Sequence, residues 1–190
     1  MTEREWVAKF LQPKLQEELP TTLTVDAERK LPYVREIRDY ERPGATGTLS
    51  PVSDMDNIRP FATDLLVGEL KGAAVWCPRV VVEVKTRVTT HDAITYSQKA
   101  FLHKTVSPHL RYGFLLVTRS GARLPGRLLR HGVHFDFMLS LRTTAGPSEI
   151  QGFAQLIVQE VGASRRLEKL LYRKKGPSQV SVLHRALRLT

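Results

Sequence analysis

The stretch RVVVEVKTR, from Arg79 to Arg87, places one carboxylate and one ammonium group inside a run of β-branched residues. Because side chains alternate between the two faces of a strand, Glu83 and Lys85 share one face. A run this apolar predicts a strand that is buried on at least one face. Burying two ionisable groups there is costly unless they are paired or bound, so the stretch predicts an ion pair or a ligand site.

A candidate partner, Asp64, lies upstream in the segment FATDLLV, which predicts a neighbouring strand over Phe61–Val67. If Asp64 and Glu83 converge at one end of a hairpin, their carboxylates form a set of hard oxygen ligands that suits Mg²⁺ or Mn²⁺. The backbone carbonyl of Val84 is a further candidate ligand. A metal there would neutralise a phosphate oxygen and lower the pKa of a bound water, while Lys85 would hold or deprotonate that water.

The register of this hairpin decides whether the two acids can meet. A tight turn at Lys71-Gly72 would separate Asp64 from Glu83 by four residues along the strand, or about 13 Å. For the carboxylates to share an ion, the hairpin must turn around Ala73-Ala74 or contain a bulge. Since proline cannot donate to a strand ladder, we expect the interruption within Glu69–Pro78.

The order of these segments resembles the PD-(D/E)XK nuclease superfamily, which has the restriction-endonuclease-like fold. The resemblance covers Phe61 to Thr118: TDLLV, a spacer, EVK, a helix containing Gln98 and Lys99, and a further strand. It implies that both acids bind a divalent metal and that the lysine assists the attacking water. It also implies an auxiliary role for Gln98 or Lys99, and Glu36 is a candidate for an extra acid from an N-terminal helix. Thr63 stands where the family name has proline.

The 190 residues and the mixed order of strands and helices favour one α/β (α+β) domain, and the resemblance implies a mixed central β-sheet flanked by helices. We divide it into N-terminal helices and a long loop (1–60), a catalytic core (61–118) and a basic C-terminal part (119–190).

Several local patterns predict individual elements. Thr2 and Glu5 form a capping box for a first helix, and Pro32 is well placed in the first turn of a second helix, PYVREIRDYER. Thr89 or Thr90 caps a helix that follows the EVK strand. VHFDFMLSLR alternates as a half-buried strand from Val133 to Leu141. In the last third, a capping box of Ser148 and Gln151 predicts a helix to about Val161, followed by a separate basic helix, SRRLEKLLYRKK.

The charge balance points to a polyanionic partner. Lys+Arg 29 against Asp+Glu 19 gives a net charge of +10, and such an excess is typical of proteins that contact nucleic-acid phosphates. Contacts of this kind position a duplex without specifying its sequence. The candidates for contacting DNA are Asn57, Arg59, Lys71, Trp76, Arg87, Arg119, Arg123, Arg127, Arg165, Arg166, Lys169, Lys174 and Lys175.

Taken together, these patterns predict a Mg²⁺- or Mn²⁺-dependent endonuclease for double-stranded DNA, most similar to a type II restriction endonuclease. Cutting both strands with one site per chain favours a homodimer with a twofold axis. The single cysteine, the absence of a signal-peptide pattern and the lack of a long apolar run predict an intracellular, cytoplasmic protein without a membrane partner. The alternatives are a non-catalytic DNA-binding module of the same fold, a structure-specific, repair or RNA-directed nuclease, and a plain cross-strand ion pair at Glu83 and Lys85.

Overall fold

The structure is a computed structural model that describes residues 2–35, 40–41, 50–51, 58–71 and 75–171. Four predicted site residues lie outside these ranges: Glu36, Asn57, Lys174 and Lys175. For Arg59 and Lys71 the structure describes the backbone alone.

In the described ranges, helices lie before the first strand, between the later strands and after the last strand. The helices are α1 (Glu3–Trp6), α2 (Gln12–Glu18), α3 (Thr90–Val106), α4 (Gly126–His131) and α5 (Pro147–Leu171), with a π-helical turn over Val7–Leu11 between the first two. The strands are β1 (Leu23–Ala27), β2 (Lys30–Arg35), β3 (Tyr40–Glu41), β4 (Ser50–Pro51), β5 (Ile58–Ala62), β6 (Leu65–Lys71), β7 (Val75–Lys85), β8 (Arg111–Thr118) and β9 (Phe137–Arg142). Among the helices in the described part of the chain, none is long and apolar enough to cross a membrane.

A five-stranded mixed sheet organises the fold, in the order β1-β6-β7-β8-β9. The first three strands of this order pair antiparallel, whereas β7, β8 and β9 pair parallel. One face of the sheet packs against α1, α2 and α5, and the other packs against α3, α4 and β2. The predicted α/β class, with a mixed sheet flanked by helices, is therefore confirmed.

β7 is buried on both faces, as its composition predicts. Val80, Val82 and Val84 belong to the larger core cluster, and none is more than 1% exposed. Val81 packs on the opposite face with Tyr112. Each buried valine contributes about 1.5–3 kcal/mol to folding, so the register of this strand is strongly specified.

The β6–β7 hairpin contains the register shift that convergence of the two acids requires. Leu65 pairs with Val82, but after the pair formed by Val67 the register moves by one residue, and Arg79 is left without a cross-strand partner. The predicted position of the interruption is wrong in detail. Glu69–Lys71 pair regularly with residues 75–77, and the bulge follows Pro78. The extra residue is Arg79, whose buried guanidinium faces Glu69, with 2.6 Å between Arg79 Nη2 and Glu69 Oε2.

Two predictions for residues 30–67 are also wrong. The predicted helix from Pro32 is instead strand β2, which pairs with β5, and Pro32 lies at an irregularity of that ladder, where its missing N–H costs little. Leu31 is buried beneath α3, and this packing outweighs the local helical pattern. The predicted continuous strand Phe61–Val67 breaks because Thr63 donates from both its N–H and its hydroxyl to the carbonyl of Arg29.

The helix-capping predictions have mixed outcomes. The Thr2–Glu5 capping box and the Thr89 cap of α3 are confirmed. The capping box at Ser148 is wrong, because Glu149 accepts instead from the N–H of Gly146, at 3.1 Å.

The other C-terminal elements differ from prediction as well. The two predicted helices are one continuous helix, α5, whose buried stripe extends to Leu167. The predicted strand Val133–Leu141 begins only at Phe137, because the short helix α4 and a turn precede it.

Candidate metal-binding active site

The bulged register brings Asp64 to the strand that carries Glu83. Asp64 lies immediately before β6, whose first residue, Leu65, pairs with Val82, so the next pair outward would be Asp64 and Glu83. Asp64 Oδ2 accepts a hydrogen bond from the N–H of Val84 at 2.8 Å. The N–H and C=O of one strand residue lie on the same strand edge, so the Val84 carbonyl belongs to this edge as well. The structure thus assembles three of the four core residues predicted for the site.

Glu83 is a fully buried carboxylate, 0% exposed, whose two oxygens have unlike surroundings. Oε1 accepts from Lys99 Nζ at 2.8 Å and from the hydroxyl of Tyr112 at 2.6 Å. Oε2 is buried and has no hydrogen-bond partner among the described residues. Most buried polar atoms in proteins are satisfied, so an unsatisfied carboxylate oxygen calls for a physical reason.

Burial raises the pKa of Glu83 to about 7. The cation of Lys99 and the hydroxyl of Tyr112 oppose this increase, whereas the negative charge of Asp64 adds to it. Like charges disfavour ionisation in a low-dielectric site, and a nearby cation relieves that repulsion.

Lys85 is held at the end of β7 by an acid from the N-terminal helix. Its Nζ lies 2.8 Å from Glu3 Oε2, and Glu3 Oε1 accepts from the N–H of Thr86 at 2.9 Å. Burial lowers the pKa of Lys85, but the hydrogen bonds to Glu3 and Tyr96 outweigh burial and raise it. This environment favours a permanently charged lysine, which can donate hydrogen bonds but is a poor base.

The helix after the EVK strand supplies one of its two candidate residues. Lys99 forms the ion pair with Glu83 and also donates to the carbonyl of Ala62 at 2.6 Å. Gln98 is exposed on α3 and makes no such contact. Tyr96 and His103 share the Lys99 face of the helix at spacings of three and four residues, and this face points at the sheet.

Three residues of the site were missed by sequence reasoning: Glu3, Tyr96 and Tyr112. Tyr112 pairs with Val81 in the parallel β7–β8 ladder, which places it on the Glu83 face. The alternation of side chains along β8 would have placed Tyr112 on the face of Glu83 if the parallel pairing of β7 and β8 had been known from the sequence. Glu3 carries no sequence signal for this role, because its distance of 82 positions from Lys85 is bridged only by the tertiary fold.

The residues at this edge fit a hard divalent cation. Asp64, the unsatisfied Glu83 Oε2 and the Val84 carbonyl are all oxygen donors, the type that Mg²⁺ and Mn²⁺ prefer. A cation beside Glu83 Oε2 would satisfy the buried oxygen and counter the repulsion between the two acids.

Four of the predicted DNA-contacting residues surround the same end of the sheet. Arg87 follows β7 and Arg119 follows β8, and the carboxyl ends of parallel strands meet at one edge. Arg123 lies between β8 and α4, and Arg127 in α4 reaches the carbonyl of Val88, at 3.5 Å from Nη1. All four arginines are exposed. We call this set, Arg87, Arg119, Arg123 and Arg127, the basic rim.

The other candidates whose side chains the structure describes do not reach this edge. Trp76 is half-buried at the opposite end of β7, where its ring covers Gly68 and its Nε1 donates to Thr24 Oγ1 at 3.1 Å. Arg165 on α5 pairs with Glu69, with 2.9 Å between Nε and Oε1. Arg166 and Lys169 on α5 do not reach this edge either.

Comparison of the sequence with protein-family models finds no matching family, and comparison with curated proteins finds no match. The class that the molecule's own geometry defines is a mixed α/β protein with a buried, partly unsatisfied carboxylate near the carboxyl end of a central strand.

Proposed function

We propose that the protein is a divalent-metal-dependent endonuclease that hydrolyses phosphodiester bonds in double-stranded DNA. The proposal includes the restriction-endonuclease-like fold and a role like that of a type II restriction endonuclease. The observation that carries it is the convergence of Asp64 and Glu83 at one strand edge, with Glu83 Oε2 buried and unsatisfied.

In this proposal each residue at the edge has a separate task. Asp64, Glu83 and the Val84 carbonyl hold Mg²⁺ or Mn²⁺, which would supply charge neutralisation at a phosphate oxygen and a water of lowered pKa. Lys85, charged and fixed by Glu3, orients the attacking water and stabilises negative charge as it develops. Lys99 keeps Glu83 in place and offsets part of its charge.

The basic rim supports DNA as the substrate. Its exposed arginines lie around the same sheet edge as the two acids, so a duplex held there by its phosphates would present its backbone to the site. Cleavage of both strands with one site per chain favours a homodimer in which a twofold axis relates the two sites.

The test is cleavage of supercoiled plasmid by the purified protein with Mg²⁺, with Mn²⁺ and with a chelator. We expect cleavage only with metal. Glu83→Gln and Asp64→Asn should each lower the rate by about two orders of magnitude or more, as the loss of a preorganised electrostatic contact does in other active sites. Glu17→Gln, the same chemical change on an exposed position of α2, should leave the rate unchanged.

The nature of the substrate follows from parallel digests. A sequence-specific enzyme gives discrete bands from a plasmid of known sequence, whereas a nonspecific nuclease gives a smear. Single-stranded DNA and RNA substrates separate the structure-specific and RNA-directed alternatives. If the protein binds duplex DNA but never cuts any of these substrates with Mg²⁺ or Mn²⁺, it is a binding module and the enzymatic proposal is wrong.

A further inference from the structure

A second group of metal-ligating side chains lies at the other end of the central sheet. Cys77 Sγ is 3.6 Å from His109 Nε2 and 3.8 Å from Glu168 Oε1. The three ligand atoms all lie within 4.8 Å of one another. Cys77 and His109 are buried, each 8% exposed, and Glu168 is half-buried. The cluster joins β7, the turn before β8 and the last turns of α5.

Two of these separations, from the sulfur to the nitrogen and from the sulfur to the carboxylate oxygen, match the edges of a tetrahedral zinc site. With Zn–S near 2.3 Å and Zn–N near 2.0–2.1 Å, tetrahedral angles place the sulfur and nitrogen about 3.6 Å apart. A carboxylate oxygen at about 2.0–2.2 Å from the ion gives about the same separation from the sulfur. One ion can therefore contact Cys77, His109 and Glu168 with little movement of the side chains.

The surroundings of Glu168 suit a ligand role. Its Oε2 is 2.9 Å from Arg79 Nη2, and this ion pair directs the other oxygen toward Cys77. Carboxylates that bind metals are commonly oriented by a hydrogen bond of this kind. Arg79 is itself fixed by Glu69, at 2.6 Å, so the orientation is built into the bulge of β7.

We propose that Cys77, His109 and Glu168 bind a thiolate-preferring divalent ion, Zn²⁺, with a fourth position left for water or another ligand. The donor set of sulfur, imidazole and one carboxylate suits zinc and not magnesium. The site is separate from the one proposed for catalysis, because Cys77 lies about 20 Å along β7 from Glu83 at the usual strand rise. Its role is to tie α5 to the sheet.

Cobalt substitution tests the proposal with the intact protein. Cys77 is the single cysteine of the chain, so a thiolate-to-cobalt charge-transfer band can arise from this residue alone. We expect the band to saturate at one cobalt per chain and Zn²⁺ to displace it. Cys77→Ser should abolish the band, and Glu168→Gln should weaken binding about tenfold or more.

Two control variants keep the zinc site distinct from the proposed catalytic site. Glu83→Gln should keep the full cobalt band, and so should His91→Gln, which changes an exposed histidine of α3. A wild-type cobalt complex without the thiolate band overturns the proposal, and this result does not depend on the folding of any variant. Zinc binding by Cys77→Ser with wild-type stoichiometry and affinity overturns it as well.

Discussion

The buried carboxylate of Glu83 lowers the stability of the metal-free protein at neutral pH. Its pKa is about 7 in the folded chain, against a reference value of 4.5. Between these two pH values the folded state binds more protons than the unfolded state, so the free energy of unfolding falls as the pH rises. A buried ionisable group that lowers stability in this way is typical of a functional site, since an apolar residue at the same position would not lower the stability of the fold.

We expect the free energy of unfolding of the metal-free wild type to fall, relative to Glu83→Gln, from about pH 4.5 to about pH 7. The difference between the two pKa values corresponds to about 3 kcal/mol, at 1.36 kcal/mol for each pKa unit. Above about pH 7 the difference between the variants should be constant. Urea unfolding with a chelator present measures it across this range. Parallel stability curves for the two proteins would contradict the assigned ionisation of Glu83.

The same ionisation predicts the pH dependence of metal binding. Because the ligand must lose its proton to bind the ion, Mg²⁺ binding releases a proton below about pH 7. We expect the apparent Kd for Mg²⁺ to fall about tenfold for each pH unit up to that value and then to level off. Calorimetry in two buffers of different ionisation enthalpy measures the released proton directly. A Kd that does not change between about pH 5 and about pH 7 would place the metal elsewhere.

At the scale of elements, the bulge of β7 supplies the last one-residue shift that aligns the two acids. It follows Pro78 and faces Gly68, over which the Trp76 ring lies. A Cβ at Gly68 would lie 2.2 Å from Cε2 of the Trp76 ring. That ring has little freedom to move, because Thr24 accepts from its Nε1 and the Arg29 guanidinium lies over it, 3.5 Å from the ring centroid.

We therefore expect Gly68→Ala to destabilise the protein by about 1–3 kcal/mol, the usual cost of overpacking. Gly152→Ala is the matched control. Gly152 is an exposed position of α5 where an added Cβ meets nothing within 4 Å, so the same substitution should stabilise the helix by about 0.5–1 kcal/mol. Urea unfolding of both variants measures the two changes in the free energy of unfolding. If Gly68→Ala leaves this free energy unchanged, the Trp76 ring can move aside and the expected overpacking is wrong.

Local sequence patterns correctly predicted the helices and strands that are determined by residues within the element itself. The β-branched run of β7 and the Thr89 cap are examples, because valine burial and side-chain capping are encoded within a few residues. The β2 strand was missed because Leu31 is buried by α3, a contact more than 60 positions away in the sequence. The Glu3–Lys85 pair could not be predicted for the same reason, since only the packing of α1 against the end of β7 creates it.

At the scale of the whole molecule, the basic side chains of the described part of the chain that we predict to contact DNA form two groups, at opposite ends of the central sheet. The basic rim surrounds the edge that holds the two acids. The α5 cluster, which we define as Arg165, Arg166 and Lys169, lies at the other end, beside Arg79 and the proposed zinc site. The two groups carry similar positive charge but differ in position. Because interactions with phosphates act over short distances at physiological salt, only the group beside a bound duplex can contribute to its binding.

The salt dependence of DNA binding should separate the two groups. Each phosphate contact contributes about 0.9 to the slope of log K against log salt on duplex DNA. Replacing Arg119, Arg123 and Arg127 of the basic rim by alanine should therefore reduce the slope by up to about 2.7. The matched control has alanine at all three positions of the α5 cluster and so removes the same number of positive charges. It should change the slope by less than the value for one phosphate contact, about 0.9. Fluorescence anisotropy of a labelled duplex, titrated at several salt concentrations with folding checked by circular dichroism, gives both slopes. If the α5 variant loses as much slope as the rim variant, the duplex does not lie across the edge that holds Asp64 and Glu83, and the proposed geometry of cleavage is wrong.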